Sequence, residues 1–345
     1  MDIAGKITAI DALKQEIDAL GELPDAVLNK INYKFRLDWN FYSNSMEGNT
    51  LTKSETRSIM IGNITISGKP IKDVLEVKGH DEVIQQILKI GKGELNISEK
   101  GIKEMHRAIM HEEDPKKKAQ VGAWKKEDNE IINYTGEKFA FTPPSQVKEE
   151  MHNLINWLSA ETDKIKVKKQ DAIHPAILAF EFHIRYLTIH PFFDGNGRTA
   201  RILMNLILIS YGYPPVIINS ADKNAYYKYL VDVQAYDAPK GFYYDLMLGL
   251  LYRSVELVHK AVKGESIEEP DDLDKEIALL KSKIDKKSEV VTKNDEVVKK
   301  LYEESLKPLF TLVHQKLIKF NDLFITHKHS FTVNNGMDIM VKKVL

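Results

Sequence analysis

Residues 190–201, HPFFDGNGRTAR, bring a histidine, an acid, two glycines, an asparagine and two arginines into one short run. The apolar stretch that follows, ILMNLILIS, reads as the inside of a helix, so Gly195 and Gly197 fall where a turn feeds a helix N-terminus. The first N–H groups of such a helix lack intrahelical acceptors, and together with the positive helix end they make a nest for an anion. Arg198 and Arg201, three positions apart, are expected to leave one side of that first turn and fork onto phosphate oxygens. Asp194 is an oxygen ligand suited to Mg2+, the ion that usually accompanies a bound polyphosphate, and Asn196 adds an amide donor. His190, at the end of the preceding helix, has an ordinary pKa near neutrality and can take a proton from an incoming hydroxyl. Each residue alone has a plain structural reading: Gly-Asn-Gly is a common turn, a lone histidine is ordinarily a core residue, and paired arginines ordinarily solvate a helix. Their order within one loop is what points to chemistry at a phosphate.

The elements that must position this loop are helices. Apolar residues recur at helical spacing at Ile10, Leu13, Ile17 and Leu20, at Ile84, Ile87 and Leu88, and at Met151, Leu154, Ile155 and Leu158. Residues 171–190, DAIHPAILAFEFHIRYLTIH, predict the helix that delivers His190, and a second helix is expected from Arg198 to Tyr211. The pattern changes between about 126 and 143, where NEIINYTGEKFAF carries β-branched and aromatic residues on both sides of Thr135-Gly136-Glu137 and reads as a short β-hairpin. The fold class is therefore mainly α. After Val262 the acidic KGESIEEPDD, with Gly264 and Pro270, reads as a linker over 263–272. It separates the rest from a C-terminal helical unit, 273–345, that carries a seam at Leu273, Ile277, Leu280 and Ile284 and closes on a terminal hairpin about Asn334-Asn335-Gly336.

Composition narrows the function classes. The 345 residues suffice for one large or two ordinary domains, and a hydrophobic share of 43% supports a real core. A net charge of −1 offers no general attraction for nucleic acid or an anionic membrane, so any anion must be caught locally. The absence of cysteine excludes disulfides, thiolate zinc sites and a cysteine nucleophile. The N-terminal stretch lacks the uninterrupted apolar run of a signal peptide, and a cytoplasmic location is expected.

The run 190–201 resembles, at every defined position, the motif His-x-Phe-x-(Asp/Glu)-Gly-Asn-Gly-Arg-x-x-Arg of the Fic family of nucleotidyltransferases. The resemblance extends through HPAILAFEFHIRYLTIHPF, through VGAWKK and FTPPSQV on either side of the hairpin, and through NAYYKYL, and covers roughly residues 30–260. It implies a Fic-type helical core at 98–262, a flap at about 128–141, and transfer of AMP from ATP to a Tyr, Ser or Thr hydroxyl of a target protein, with release of pyrophosphate. It further implies that His190 is the base and that Asp194 holds Mg2+ or Mn2+ between the α- and β-phosphates. Asn196 and the amides about Gly195 and Gly197 would cradle the phosphates, with Arg198 on the β-phosphate and Arg201 on the γ-phosphate. Asn224, Tyr226 and Tyr227 become candidates for the adenine pocket, Phe192 a core residue, and His183 at most a supporting one. The flap would pair with an extended segment of the target through its free strand edge. One departure stands out: many relatives carry Tyr-Arg where this chain has Trp124-Lys125, which removes a bidentate guanidinium.

A second run, SNSMEGN at 43–49, is similar to the family's inhibitory pattern (Ser/Thr)-x-x-x-Glu-(Gly/Asn) and lies in the N-terminal region, 1–97. Ser43 can cap or brace a helix and Gly48 can end it, leaving Glu47 at its tip, where its carboxylate would compete with the γ-phosphate for Arg201. Removal of AMP or transfer of phosphate on the same fold, and a non-catalytic ATP-binding interaction protein, are the competing readings. A histidine metal site at His174, His183 and His190 is disfavoured, because spacings of nine and seven do not give the i, i+4 geometry of helix-borne ligands.

Overall fold

The computed structural model describes residues 2–62, 68–91, 93–132, 136–267, 295–318, 331–334 and 339–342. Residues 1–267 form one compact unit and 268–345 a second. The first unit runs α1 (Ile3–Ala19), α2 (Asp25–Met46), α3 (Lys53–Gly62), α4 (Ile71–Ile87), α5 (Glu99–Ile109), α6 (Pro115–Lys118), β1 (Glu130–Ile132), β2 (Lys138–Ala140), α7 (Pro144–Lys166), α8 (Pro175–Ile189), α9 (Asn196–Ser210), α10 (Lys223–Tyr236) and α11 (Gly241–Val262).

At its centre α8 packs on α9. Thirteen of the 15 residues of α9 are buried: its second half is largely apolar from Ile202 to Leu208, while Asn196, Arg198, Thr199, Arg201, Asn205 and Ser210 are buried polar residues. α8 begins at Pro175 rather than Asp171: proline needs no N–H partner at a first helical position, and the His174 side chain accepts the Ala176 N–H ahead of it. α9 starts at Asn196, two residues before the expected Arg198, because Gly195 at φ +74° can turn the chain into the helix at once. α7 covers α8, α5 contacts α9 and α4, and α1 lies along α11. Phe180, Phe182, Tyr186, Phe192, Tyr226 and Tyr243 fill the interior.

α2 is fixed at both ends. Ile31 and Phe35 near its start join Ala261 and Ile267 in a small apolar cluster, so the chain stays packed into the first unit through Ile267, inside the stretch read as a linker. Farther on, α2 meets α4 through polar side chains: Arg36 donates to both carboxylate oxygens of Asp81, and Asn40 bridges the Val77 carbonyl (3.0 Å) and His80 Nδ1 (3.2 Å). The helix stops in a Schellman arrangement, with Gly48 at φ +88°, Gly48 N–H on Ser45 O and Asn49 N–H on Asn44 O, both 3.2 Å. Glu47 is thereby held at the helix tip.

β1 and β2 pair antiparallel, Glu130 opposite Ala140 and Ile132 opposite Lys138. Residues 133–135, in the expected turn, lie outside the described residues. In the second unit the chain is helical from Asp295 to Leu317, with a π-helical turn at Tyr302–Leu306, and Phe331–Asn334 pairs antiparallel with Ile339–Lys342. The seam at 273–284, together with Asn335 and Gly336, lies outside the described residues. Among the described residues, no helix is long and apolar enough to cross a membrane.

Candidate active site

His190 closes α8 in the left-handed region, at φ +52° and ψ +61°, a conformation that costs a non-glycine residue on the order of 1 kcal/mol. Its own N–H still bonds Tyr186 O at 3.0 Å. Nδ1 faces the Leu187 carbonyl at 3.3 Å, and since a carbonyl can only accept, Nδ1 carries the hydrogen and Nε2 is left as the basic atom. The ring stacks on Phe141, centroids 3.8 Å apart. Burial pushes its pKa down to about 4, with the Lys125 charge adding to the effect against the opposing Leu187 bond, so at neutral pH the ring is an unprotonated base.

The loop after it is built on Phe192. Asn196 ties both ends of its amide to that residue, accepting the Phe192 N–H (2.9 Å) and donating to the Phe192 carbonyl (2.8 Å). The expected contact of its side chain with phosphate is therefore not what the structure displays: the side chain is 2% exposed and braces the turn. Phe192 itself is fully buried between His106 (centroids 3.7 Å) and Trp124 (5.0 Å). Gly195 begins α9 without a side-chain cap, and the first intrahelical bond is Thr199 N–H to Gly195 O at 3.0 Å, which leaves the first-turn N–H groups to an outside anion. A Cβ on Gly195 would stand 2.5 Å from Met110 Sδ and 3.2 Å from His106 Nε2. Asp194 is exposed, with Oδ1 receiving the Gly195 N–H at 2.6 Å. Among the described residues no group of three or more His, Asp or Glu could hold a metal ion unaided. One exposed carboxylate beside an uncapped helix end does fit Mg2+, an ion that keeps water and takes phosphate oxygens alongside one or two carboxylates.

The two arginines diverge. Arg198 Nη1 pairs with Glu76 of α4 at 2.7 Å and Nη2 contacts Met110 Sδ at 3.0 Å, both carboxylate and guanidinium being nearly fully buried. This corrects the expectation of a shared fork: inside a helix surrounded by protein, each guanidinium needs its own buried anion, and α4 supplies one. Arg201 turns to α2. Its Nε donates to Ser43 Oγ (3.0 Å), and its Nη2 to Ser43 O (2.9 Å) and to Glu47 Oε1 (2.8 Å). Ser43 therefore braces the arginine rather than capping its own helix. Burial opposes the arginine's charge, but the Glu47 carboxylate outweighs it and raises the Arg201 pKa. Glu47 also lies against the first turn of α9, since a Cβ on Gly197 would fall 2.3 Å from its Oε1.

The flap is anchored to the same loop. Asn129 donates to Phe192 O at 3.0 Å, Asn129 O receives the Phe141 N–H at 3.2 Å, and the Lys125 N–H bonds Pro191 O at 2.8 Å. Lys125 Nζ bonds the Asn129 side chain, and burial lowers its pKa to about 8. A cleft of about 530 Å3 opens beside Asp194, with Lys72, Lys125, Asn129 and Phe193 in its walls. On α10, Asn224 is exposed and Tyr227, partly buried, reaches Met46 O at 3.5 Å. Tyr226 is instead a core residue, 1% exposed, its hydroxyl on His183 Nε2 at 3.1 Å. His183 is also bound by Tyr243 (2.8 Å), and His174 by Asp11 and Tyr213, so the three histidines do not converge.

Sequence reasoning missed His106, which lies on the buried face of α5 with Ile102 and Ile109. Its Nε2 is 2.8 Å from Asp194 O and its Nδ1 receives the Gly122 N–H at 2.9 Å. Glu76, Asn129 and Phe141 were missed as well. The i, i+4, i+7 spacing of 102, 106 and 109 could have marked His106 as inward-facing.

Residues 96–208 match the Fic/DOC family. A Fic-domain-containing signaling protein from Bacteroides thetaiotaomicron is 34% identical, superposes with a TM-score of 0.69, and is covered over 99% of its length by 76% of this chain. The chain belongs to the Fic family. Fic-1 from C. elegans (residues 134–508) is 25% identical with a TM-score of 0.63, over 76% of this chain and 74% of that one. A protein adenylyltransferase Fic of Nematostella vectensis is 34% identical over 192 residues, 55% of this chain and 41% of the relative. The chain thus spans about two fifths of the length of that curated Fic relative.

Proposed function

We propose that the protein is an autoinhibited AMP-transferase that moves AMP from ATP to a Tyr, Ser or Thr hydroxyl of a target protein. The observation that carries the reading is a neutral histidine, with Nε2 as its basic atom, at the mouth of an uncapped helix N-terminus. The naming of Fic relatives as protein adenylyltransferases supports the same chemistry. The target hydroxyl oxygen attacks the α-phosphorus as His190 Nε2 takes its proton; the bond from that phosphorus to the bridging oxygen breaks and pyrophosphate leaves. Such a displacement needs alignment and charge neutralisation more than covalent help from the protein.

The first-turn amides of α9, about Gly197, hold the phosphates by main chain, while the Gly195 N–H stays on Asp194 Oδ1 and the Asn196 side chain keeps the loop in shape. Asp194 would hold Mg2+ or Mn2+, which when bound neutralises phosphate charge. Arg201 is the guanidinium for the γ-phosphate. Arg198, engaged by Glu76, supports α9 from behind instead of meeting the β-phosphate. Asn224 and Tyr227 border the adenine. The flap, pinned at Asn129 and Phe141, offers its outer strand edge to an extended target segment. Glu47 occupies Arg201 and the space beside Gly197, so the γ-phosphate is turned away and the α-phosphate misaligned.

Incubation with α-labelled or γ-labelled ATP tests the reading. Label retained in protein from the α position alone is expected. Label from γ alone would mean phosphate transfer, and none from either would leave a nucleotide-binding protein without this activity.

A further inference from the structure

Phe192 and Asp194 are each held by a side chain from outside the motif, Asn129 on the first and His106 on the second. His106 is the more constrained of the two. It is fully buried, stacked on Phe192 at 3.7 Å, and each ring nitrogen has a defined partner. Nε2 faces a carbonyl, Asp194 O, and must donate; Nδ1 receives the Gly122 N–H and must accept. Those two partners fix the Nε2–H tautomer. The bonded carbonyl belongs to the peptide that joins Asp194 to Gly195. Rotation of that peptide would move the Asp194 carboxylate and the Gly195 N–H that it accepts. The space beyond is closed too, with a Gly195 Cβ only 3.2 Å from the same Nε2.

We propose that His106 is the positioning residue of the metal–phosphate loop, its Nε2–H setting the Asp194–Gly195 peptide so that the carboxylate faces the metal ion of an incoming Mg2+·ATP. The inference rests on the nucleotide reading of the site but not on AMP transfer. Groups that orient a ligating side chain typically change metal affinity by about 10–100-fold when removed.

Two substitutions separate this role from packing. Gln can place an amide N–H where Nε2 stood, and Asn can place an oxygen where Nδ1 stood. His106→Gln therefore preserves the bond to Asp194, and His106→Asn preserves the bond from Gly122. Both are made in the full chain carrying Glu47→Gly, and ATP binding is measured by calorimetry with MgCl2 and with EDTA, alongside thermal unfolding. His106→Asn should lose the Mg2+-dependent gain in ATP affinity by ~10-fold or more, while His106→Gln stays within ~3-fold of its parent. Equal behaviour of the two variants would overturn the proposal and leave His106 a packing residue. If the Glu47→Gly parent itself shows no Mg2+-dependent ATP binding, the nucleotide reading falls and this proposal with it. Should neither variant fold, the imidazole nitrogen resonances of His106 in the Glu47→Gly protein decide. The Nε2 signal should shift with ATP and MgCl2 and stay put with ATP in EDTA, and an unmoved signal in both would refute the role.

Discussion

Replacing Glu47 with Gly removes one carboxylate from a guanidinium that keeps two other contacts. Arg201 retains the Ser43 hydroxyl and the Ser43 carbonyl, so it stays aimed while the position nearest the α9 turn is vacated. The ion pair that is lost has its atoms 2.8 Å apart, with side chains 4% and 25% exposed. Two unit charges centred ~4 Å apart attract by about 4 kcal/mol at an effective dielectric near 20, an upper guide before desolvation and screening are subtracted. If desolvation and screening take up a third or more of that, a net blocking energy of ~1.4–2.7 kcal/mol corresponds to roughly 10–100-fold in rate. Labelling of protein from α-labelled ATP should accordingly rise ~10-fold or more in Glu47→Gly over its parent. Arg201→Ala should give no such rise, because it removes the partner of the inhibitor and of the γ-phosphate together. The assay compares parent and variant at temperatures well below both unfolding transitions. Equal labelling rates would refute the reasoning and reduce 43–49 to a helix end.

His190→Ala in the Glu47→Gly background should lose transfer while ATP affinity, followed by calorimetry, stays within ~3-fold, since no phosphate contact is removed. Asp194→Ala should lose both transfer and Mg2+-dependent binding, and full activity in EDTA would contradict the metal role. Glu76→Gln should lower stability by ~3–5 kcal/mol in denaturant titrations, because it leaves the buried Arg198 cation without its anion. His106, His183 and His190 have pKa values of about 4, about 3 and about 4 in the folded chain, against an ordinary 6.5. The unfolded state therefore binds more protons between those limits. The contribution of these three groups to the unfolding free energy should be at its full value above pH ~6.5 and fall as pH drops toward ~4.

The loop at 190–201 stood out in the sequence because chemistry-bearing residue types occupy nearly consecutive positions, and glycine at 195 announces a backbone that only glycine enters easily. The central helices were legible from apolar periodicity, although Pro175 and Gly195 set their first residues more sharply than periodicity could. What escaped depends on neighbours distant in sequence. The direction of Arg198 is decided by Glu76, a residue on a different helix that no spacing rule connects to it. Asn196 looked like a donor for phosphate because its type permits that, yet the shortest partners for its amide are the main-chain groups of Phe192, four residues back. His106 acts on a carbonyl, and every residue offers one of those, so nothing in the sequence marks the pair. Tyr226 and Tyr227 are adjacent and alike in type; helix rotation alone sends the first to His183 and the second toward Met46.

The measurement closest to the central claim is a mass-spectrometric search for AMP-modified peptides in a lysate treated with ATP, Mg2+ and the Glu47→Gly protein. A parallel sample receives the Glu47→Gly, His190→Ala double variant. Peptides bearing AMP on Tyr, Ser or Thr should accumulate in the first sample and be missing from the second. Equal yields in both, or no AMP-modified peptide in either while the Glu47→Gly protein is folded and binds Mg2+·ATP, would contradict the account of His190 as the base of an AMP-transferase held back by Glu47.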